Sequence, residues 1–142
     1  MKRVLVFGMT ENPGGVESFL VNYFRNIDKS KIQFDFLCNT LQPIAYEEEL
    51  KQSGAGIYYI TPRRKSRVRF SRELKALFRE NEGRWDSIWV NVSSLANIDY
   101  LVYAKKAGIK RRIIHSHNSG NMEGLIAWPG TGRTLCWSFC RK

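Results

Sequence analysis

The stretch that most limits what this chain can fold into is Gly8-Met-Thr-Glu-Asn-Pro-Gly-Gly-Val-Glu17. It joins two apolar patterns of different period. Val4-Leu5-Val6-Phe7 is a continuous apolar run. After the glycines, Val16, Phe19, Leu20, Tyr23, Phe24 and Ile27 recur at the spacing of a packed helical face, with Asn22, Arg25 and Asn26 on the other side. This reads as strand, glycine-bearing turn, helix. A strand apolar on both faces belongs in a parallel sheet covered by helices on both sides. Gly14 and Gly15 let the backbone approach another molecule closely and take φ values that other residues avoid. The outward-facing N–H groups of the following helix, with the positive end of its dipole behind them, suit a phosphate-like group. Glu17 suits the same dipole, yet would repel a phosphate set too close. No Gly-Lys-Ser/Thr follows, and the glycines lack the G-x-G-x-x-G spacing, so neither common phosphate-loop signature applies. A plain tight connection accounts for the same residues.

The rhythm repeats along the chain. Residues 32–38 read as a second strand, Tyr46 to Gln52 as a short helix closed by Gly54, and Ile57 to Thr61 as a third strand stopped by Pro62. Phe70, Leu74, Leu77 and Phe78 share a helical face ending at Gly83. Trp85 to Val92 holds the fourth strand. Ser93 or Ser94 caps a helix whose buried stripe is Leu95, Ile98, Leu101 and Val102. Arg111 to Ser116 is the fifth strand. Short connections and apolar strands predict a Rossmann-like doubly wound α/β sheet, parallel, in the order 3-2-1-4-5. Residues 1–124 form this unit, which is expected to be incomplete. Residues 125–142 contain no acidic residue and no clear period. They are expected to be an irregular tail arising from a truncated or frame-shifted reading frame.

Charge and cysteine content narrow the function. The net charge of +10, from 23 basic and 13 acidic residues, suggests anionic partners. Three cysteines, Cys38, Cys136 and Cys140, form no disulfide framework and lack the partners of a metal set. The apolar run after Lys2 and Arg3 is too short for a signal peptide, and no run is long enough to span a membrane. The expected location is cytoplasmic, either soluble or peripheral at the inner face of the cell membrane.

In a doubly wound sheet, ligands bind beyond the carboxyl ends of the strands, where the strand order reverses. Three loops should meet there: Met9–Gly15, Asn91–Ser94 and His117–Gly120. His117 is the most reactive candidate, and His115 should share its side of the strand. Two hydrogen-bonded structural histidines fit the same spacing. Arg63, Arg64 and Lys65 open a basic cluster reaching Arg72; it reads either as a solvated face or as an anion site. With few interleaved aromatics and no recognisable motif, nucleic acid is not the expected partner. Cys38-Asn39 stand where a dinucleotide enzyme carries an acidic residue, which argues against an oxidoreductase.

Four stretches, in order, resemble the N-terminal domain of GT-B glycosyltransferases of family 4, in particular bacterial enzymes of capsular and exopolysaccharide synthesis. They are Gly14-Gly15-Val16-Glu17, Pro62-Arg63-Arg64-Lys65, Trp85-Asp86-Ser87-Ile88-Trp89-Val90 and Arg112-Ile-Ile-His-Ser-His-Asn118. The resemblance implies the acceptor-side half of an enzyme with two Rossmann-like domains. Such an enzyme moves a sugar from a nucleotide-diphosphate donor to a saccharide or polyprenyl-diphosphate-linked acceptor, with no cofactor and no essential metal. It places Gly14 and Gly15 against the donor diphosphate and makes His117 the catalytic histidine beside the transferred sugar. Arg63, Arg64 and Lys65, with Glu17 and Asn118, would contact an anionic acceptor. Asn91 stands where a histidine is common. The acidic E-x7-E motif of the second domain is absent, so this chain alone is expected to be an inactive partial glycosyltransferase. The charge also allows a different class: a non-catalytic basic α/β module binding an anionic membrane or a partner chain.

Overall fold

A computed structural model describes residues 1–93 and 97–117. The apolar runs become strands β1 (Lys2–Phe7), β2 (Ile32–Cys38), β3 (Ile57–Tyr59), β4 (Ser87–Val92) and β5 (Arg111–Ser116). The amphipathic stretches become helices α1 (Gly15–Asn26), α2 (Glu47–Gln52), α3 (Arg67–Glu80) and α4 (Asp99–Lys106). The five strands form one parallel sheet in the order β3-β2-β1-β4-β5, as the pattern predicts. Val6 on the central strand pairs with Phe36 of β2 on one side and Trp89 of β4 on the other.

Side chains alternate across the sheet and create two cores. Leu5, Phe7, Leu37, Ile88 and Val90 meet Phe70, Leu74 and Phe78 of α3 and Tyr100 and Ala104 of α4. Val6, Phe34, Phe36 and Cys38 meet Leu20, Val21 and Phe24 of α1 and Leu50 of α2. Burying a side chain of this size stabilises the fold by about 1.5–3 kcal/mol. The apolar residues Leu5, Val6 and Phe7 of β1 and Phe34, Phe36, Leu37 and Cys38 of β2 are thus buried on both faces of the sheet.

Several local expectations change. Tyr23 is 52% exposed rather than packed, because Val21 and Glu17 take inward positions on α1. β3 stops at Tyr59; Ile60 and Thr61 are buried beyond it. α4 starts at Asp99 with Ile98, not a serine, at its N-cap. Its buried residues are Tyr100 and Ala104, whereas Ile98 and Val102 are exposed. The cause is the long reach of Tyr100, whose ring stacks on Phe7 with centroids 3.9 Å apart and sets the rotation of the helix. Ser94, Leu95 and residues 118–142, including the expected tail, lie outside the described residues.

Helix α3 begins at a conventional cap. Ser66 Oγ accepts the Arg69 N–H at 3.2 Å, satisfying one of the donors that a helix start leaves unpaired. Replacing Ser66 with Ala should lower stability by about 1 kcal/mol. Urea unfolding would measure it, and an unchanged midpoint would show that water satisfies the Arg69 N–H equally well.

Candidate functional site

Because all strands run the same way, their carboxyl ends share one rim. The rim opens where β1 leads to α1 on one side of the sheet and β4 leads to α4 on the other. A cleft of about 410 Å³ lies here, lined by Gly8, Thr10, Glu17, Asn39, Asn91 and Tyr100 among others. A second, outer cavity of about 560 Å³ is lined by Thr10 to Asn12, Asn39 to Gln42 and Pro62 to Lys65. The two share Thr10 and Asn39, so they form one groove whose inner end carries the Glu17 carboxylate and whose outer end is basic.

Glu17 shapes the first loop. It is 5% exposed, and its carboxylate accepts from the Thr10 hydroxyl at 2.6 Å, the Thr10 N–H at 3.1 Å and the Gly14 N–H at 3.2 Å. The last contact is half of a capping box, in which the N3 glutamate reaches back to the N-cap N–H. The carboxylate therefore faces its own loop, and the Gly14 N–H is already engaged. A Cβ on Gly14 would lie 2.8 Å from Glu17 Oε2, so the molecule that this glycine approaches closely is its own helix. A Cβ on Gly15 would meet nothing within 4 Å. Gly15 is the glycine that leaves open space at the helix start.

Asn91 joins the loop to the histidine. It is buried, and its Nδ2 donates to the Phe7 carbonyl at 3.2 Å. That fixes the amide orientation, since a carbonyl only accepts. Oδ1 therefore accepts from His117 Nε2–H at 3.0 Å, which leaves Nδ1 as the basic nitrogen of the neutral ring. The His117 ring is held 5.3 Å from Phe19 of α1 and 4.4 Å from His115, which stacks on Trp89. Both imidazoles thus share one side, as an extended strand requires. The diglycine bend and His117 come to the same rim. His117 stands on the α1 flank of the cleft, behind Asn91, rather than on its floor.

Burial lowers the His117 pKa, and the neighbouring His115 adds to this, while Glu17 opposes it. The depressed value means that neutral His117 supports the fold above about pH 6.5, and that this support is lost as pH falls through the lower folded-state value. Imidazole signals followed by NMR should give a midpoint below the ordinary ~6.5 for His117. A midpoint at or above that value would show that the burial is absent in solution.

The basic turn divides. Arg63 Nε is 3.2 Å from Asp99 Oδ2, tying the turn to the start of α4. Arg64 and Lys65 line the outer cavity alongside it. Tyr100 sits under the inner cleft, buried; its hydroxyl looks toward Asn39 without completing a hydrogen bond. Burial raises its pKa, so it is a neutral donor. Asn118 lies outside the described residues. Sequence reading missed Thr10, Asn39 and Tyr100 and gave Asn91 no role. A usable signal was present: an amide stands just after β2, at Asn39, and within β4, at Asn91, the two strands that flank β1.

No family model matches the chain. No solved structure matches it. Among curated proteins it is similar to one of Bacillus subtilis (strain 168) named "Putative glycosyltransferase EpsF", with 34% identity over 125 residues. Those residues are 87% of this chain and 32% of that protein, so the chain spans about a third of the relative's length. At that coverage the likeness takes in most of the sheet, and it supports a glycosyltransferase relation for this α/β unit.

Proposed function

We propose that this chain is the acceptor-side Rossmann-like half of a GT-B glycosyltransferase of family 4, working in polysaccharide synthesis. The reaction is transfer of a hexosyl group from a nucleotide-diphosphate sugar to a saccharide or polyprenyl-diphosphate-linked acceptor. The observation that carries this reading is the two-ended groove at the strand-order reversal, in a chain similar to a named glycosyltransferase. Its inner end offers amides and hydroxyls suited to a sugar ring, namely Asn39, Asn91, Tyr100 and Thr10. Its outer end offers Arg64 and Lys65 to an acceptor phosphate. Gly15 leaves room for the donor diphosphate at the start of α1. Neutral His117 presents Nδ1 as a proton acceptor or hydrogen-bond partner for a sugar hydroxyl, with Asn91 fixing its tautomer. Glu17 acts by holding the loop in shape.

The donor nucleotide needs groups beyond those of this groove, because transition-state stabilisation requires charge complementarity on both sides of the transferred sugar. The purified chain should therefore bind acceptor but turn over no donor. A soluble glycosyl diphosphate should shift the NMR amide signals of Thr10, Asn39, Arg64 and Lys65 together. Shifts confined to another face, or nucleotide-sugar turnover by the chain alone, would overturn the proposal.

A further inference from the structure

Among the described residues, the Tyr100 hydroxyl is the buried side-chain oxygen left without a hydrogen-bond partner. Tyr100 is 1% exposed, and its ring is held on two sides, stacked on Phe7 with centroids 3.9 Å apart and edge-on to Phe70 at 5.5 Å. The hydroxyl therefore cannot swing out to water. It faces Asn39, which is half-buried at the junction of the inner and outer cavities. The charges that reach Tyr100, Asp99 and Arg63, are paired with each other at 3.2 Å. Leaving a buried polar group unpaired is unfavourable, so a fold that keeps one gains from it elsewhere. The charge of the inner cleft is one-sided. Glu17 is the one acid or base among its described lining residues, and Arg64 and Lys65 stand only at the outer end. Both Glu17 oxygens are held by Thr10 and Gly14, so the carboxylate offers an entering group its charge but no open contact.

We infer that Asn39, positioned by the Tyr100 hydroxyl, is the residue that selects the sugar in this groove: it reads a hydroxyl of an uncharged pyranose ring, and a carboxylated ring is excluded. This rests on the reading of the groove as a glycosyl acceptor site. An amide both donates and accepts, as a sugar hydroxyl does, so the two match in either sense. The other amide of the cleft, Asn91, is committed to the Phe7 carbonyl and His117. Met9, Val16 and Val92 give the cleft apolar walls for the C–H faces of the ring. A carboxylate on the ring would meet the charge of Glu17 in a partly buried place with no cation to offset it. The phosphate of the ligand belongs at the other end, with Arg64 and Lys65. As the ring takes one edge of the Asn39 amide, the other edge settles on the Tyr100 hydroxyl and completes its bond. Tyr100 is thus a positioning residue and does not itself touch the sugar.

The test is an NMR titration of the whole chain with the matched 1-phosphates of glucose and glucuronic acid, those of galactose and galacturonic acid, and inorganic phosphate. At least one uncharged sugar phosphate should move the amide signals of Thr10, Asn39, Arg64 and Lys65, and its uronic partner should bind about tenfold more weakly. Inorganic phosphate should move Arg64 and Lys65 alone. Tyr100→Phe keeps the ring contacts, and Asn39→Ala removes the amide. Each should weaken the sugar phosphate about fivefold and leave inorganic phosphate unchanged. Because the Tyr100 hydroxyl lacks a partner in the fold, the melting midpoint of Tyr100→Phe should equal or exceed that of the wild type. A lowered midpoint would assign the hydroxyl to the fold and overturn the inference. Uronic sugars binding as tightly as their partners, or wild-type affinity for the sugar phosphate in either variant, would overturn it while the acceptor reading stands. Sugar phosphates that leave all the groove signals unmoved would overturn both.

Discussion

Asp35→Asn should lower the unfolding free energy by about 3–5 kcal/mol, the usual cost of removing one side of a buried charge pair. Asp35 is fully buried in β2, on the face that α3 covers. Four groups from three places in the sequence converge on it. Arg3 Nη1 reaches its two oxygens at 3.1 and 3.2 Å, Arg84 Nε lies at 3.1 Å, Trp85 Nε1 at 2.9 Å and the Gly56 N–H at 2.9 Å. An asparagine keeps the shape but turns an amide donor toward guanidinium donors. It also leaves Arg3 and Arg84 without their counter-charge. Burial alone would raise the Asp35 pKa, but the Gly56, Trp85, Arg84 and Arg3 contacts outweigh it and hold the carboxyl below its ordinary value. The contribution is thus present above about pH 4 and lost as pH falls through the lower folded-state value. Urea unfolding of both proteins across pH checks this. The gap should be widest near neutrality and close in acid, and a gap below about 1 kcal/mol at pH 7 would show that the arginines are satisfied by water.

Gly8→Ala should cost about 2–6 kcal/mol, combining overpacking and backbone strain of about 1–3 kcal/mol each. Gly8 directly follows β1 with φ of 134°, a value that side-chain-bearing residues rarely adopt. A methyl group there would lie 2.7 Å from Asn91 Cβ and 2.9 Å from the Asn91 carbonyl oxygen. Neither is the end of a flexible side chain, so β1 and β4 must part. The effect reaches the site, because Asn91 holds both the Phe7 carbonyl and His117. The expected result is a lower unfolding midpoint together with moved His117 ring signals. An unchanged midpoint would mean that the strand ends yield freely. A lowered midpoint with unmoved His117 signals would mean that Asn91 does not transmit the strain.

These two residues show how far the sequence could be read. Nothing about Asp35 in the run Ile-Gln-Phe-Asp-Phe-Leu-Cys announces a four-partner carboxylate. Its partners stand 32, 49, 50 and 21 positions away, and only the pairing of β2 with its neighbours brings them together. Gly8 was visible as the first glycine of the loop, but the reason for it is a contact with Asn91 across the sheet. The diglycine pair drew attention because adjacent glycines are conspicuous. The structure assigns them unequal parts, Gly14 serving the Glu17 clasp and Gly15 the open space.

The sequence alone determined the sheet order and the common rim at the carboxyl ends of the parallel strands. Hydrophobic period and short connections leave little freedom in a parallel α/β unit. It placed the loops after β1 and β4 at the groove, but not residues 39–42, which line it, nor the position of His117, which does not line it. Only the tertiary structure decided which polar groups are already satisfied and which face the groove. Glu17, Asn91 and Arg63 are read one way as a string and another once Thr10, Phe7 and Asp99 stand beside them. Hydrogen bonds form over a few ångströms, and distances of that size between residues far apart in sequence are fixed only when the side chains pack.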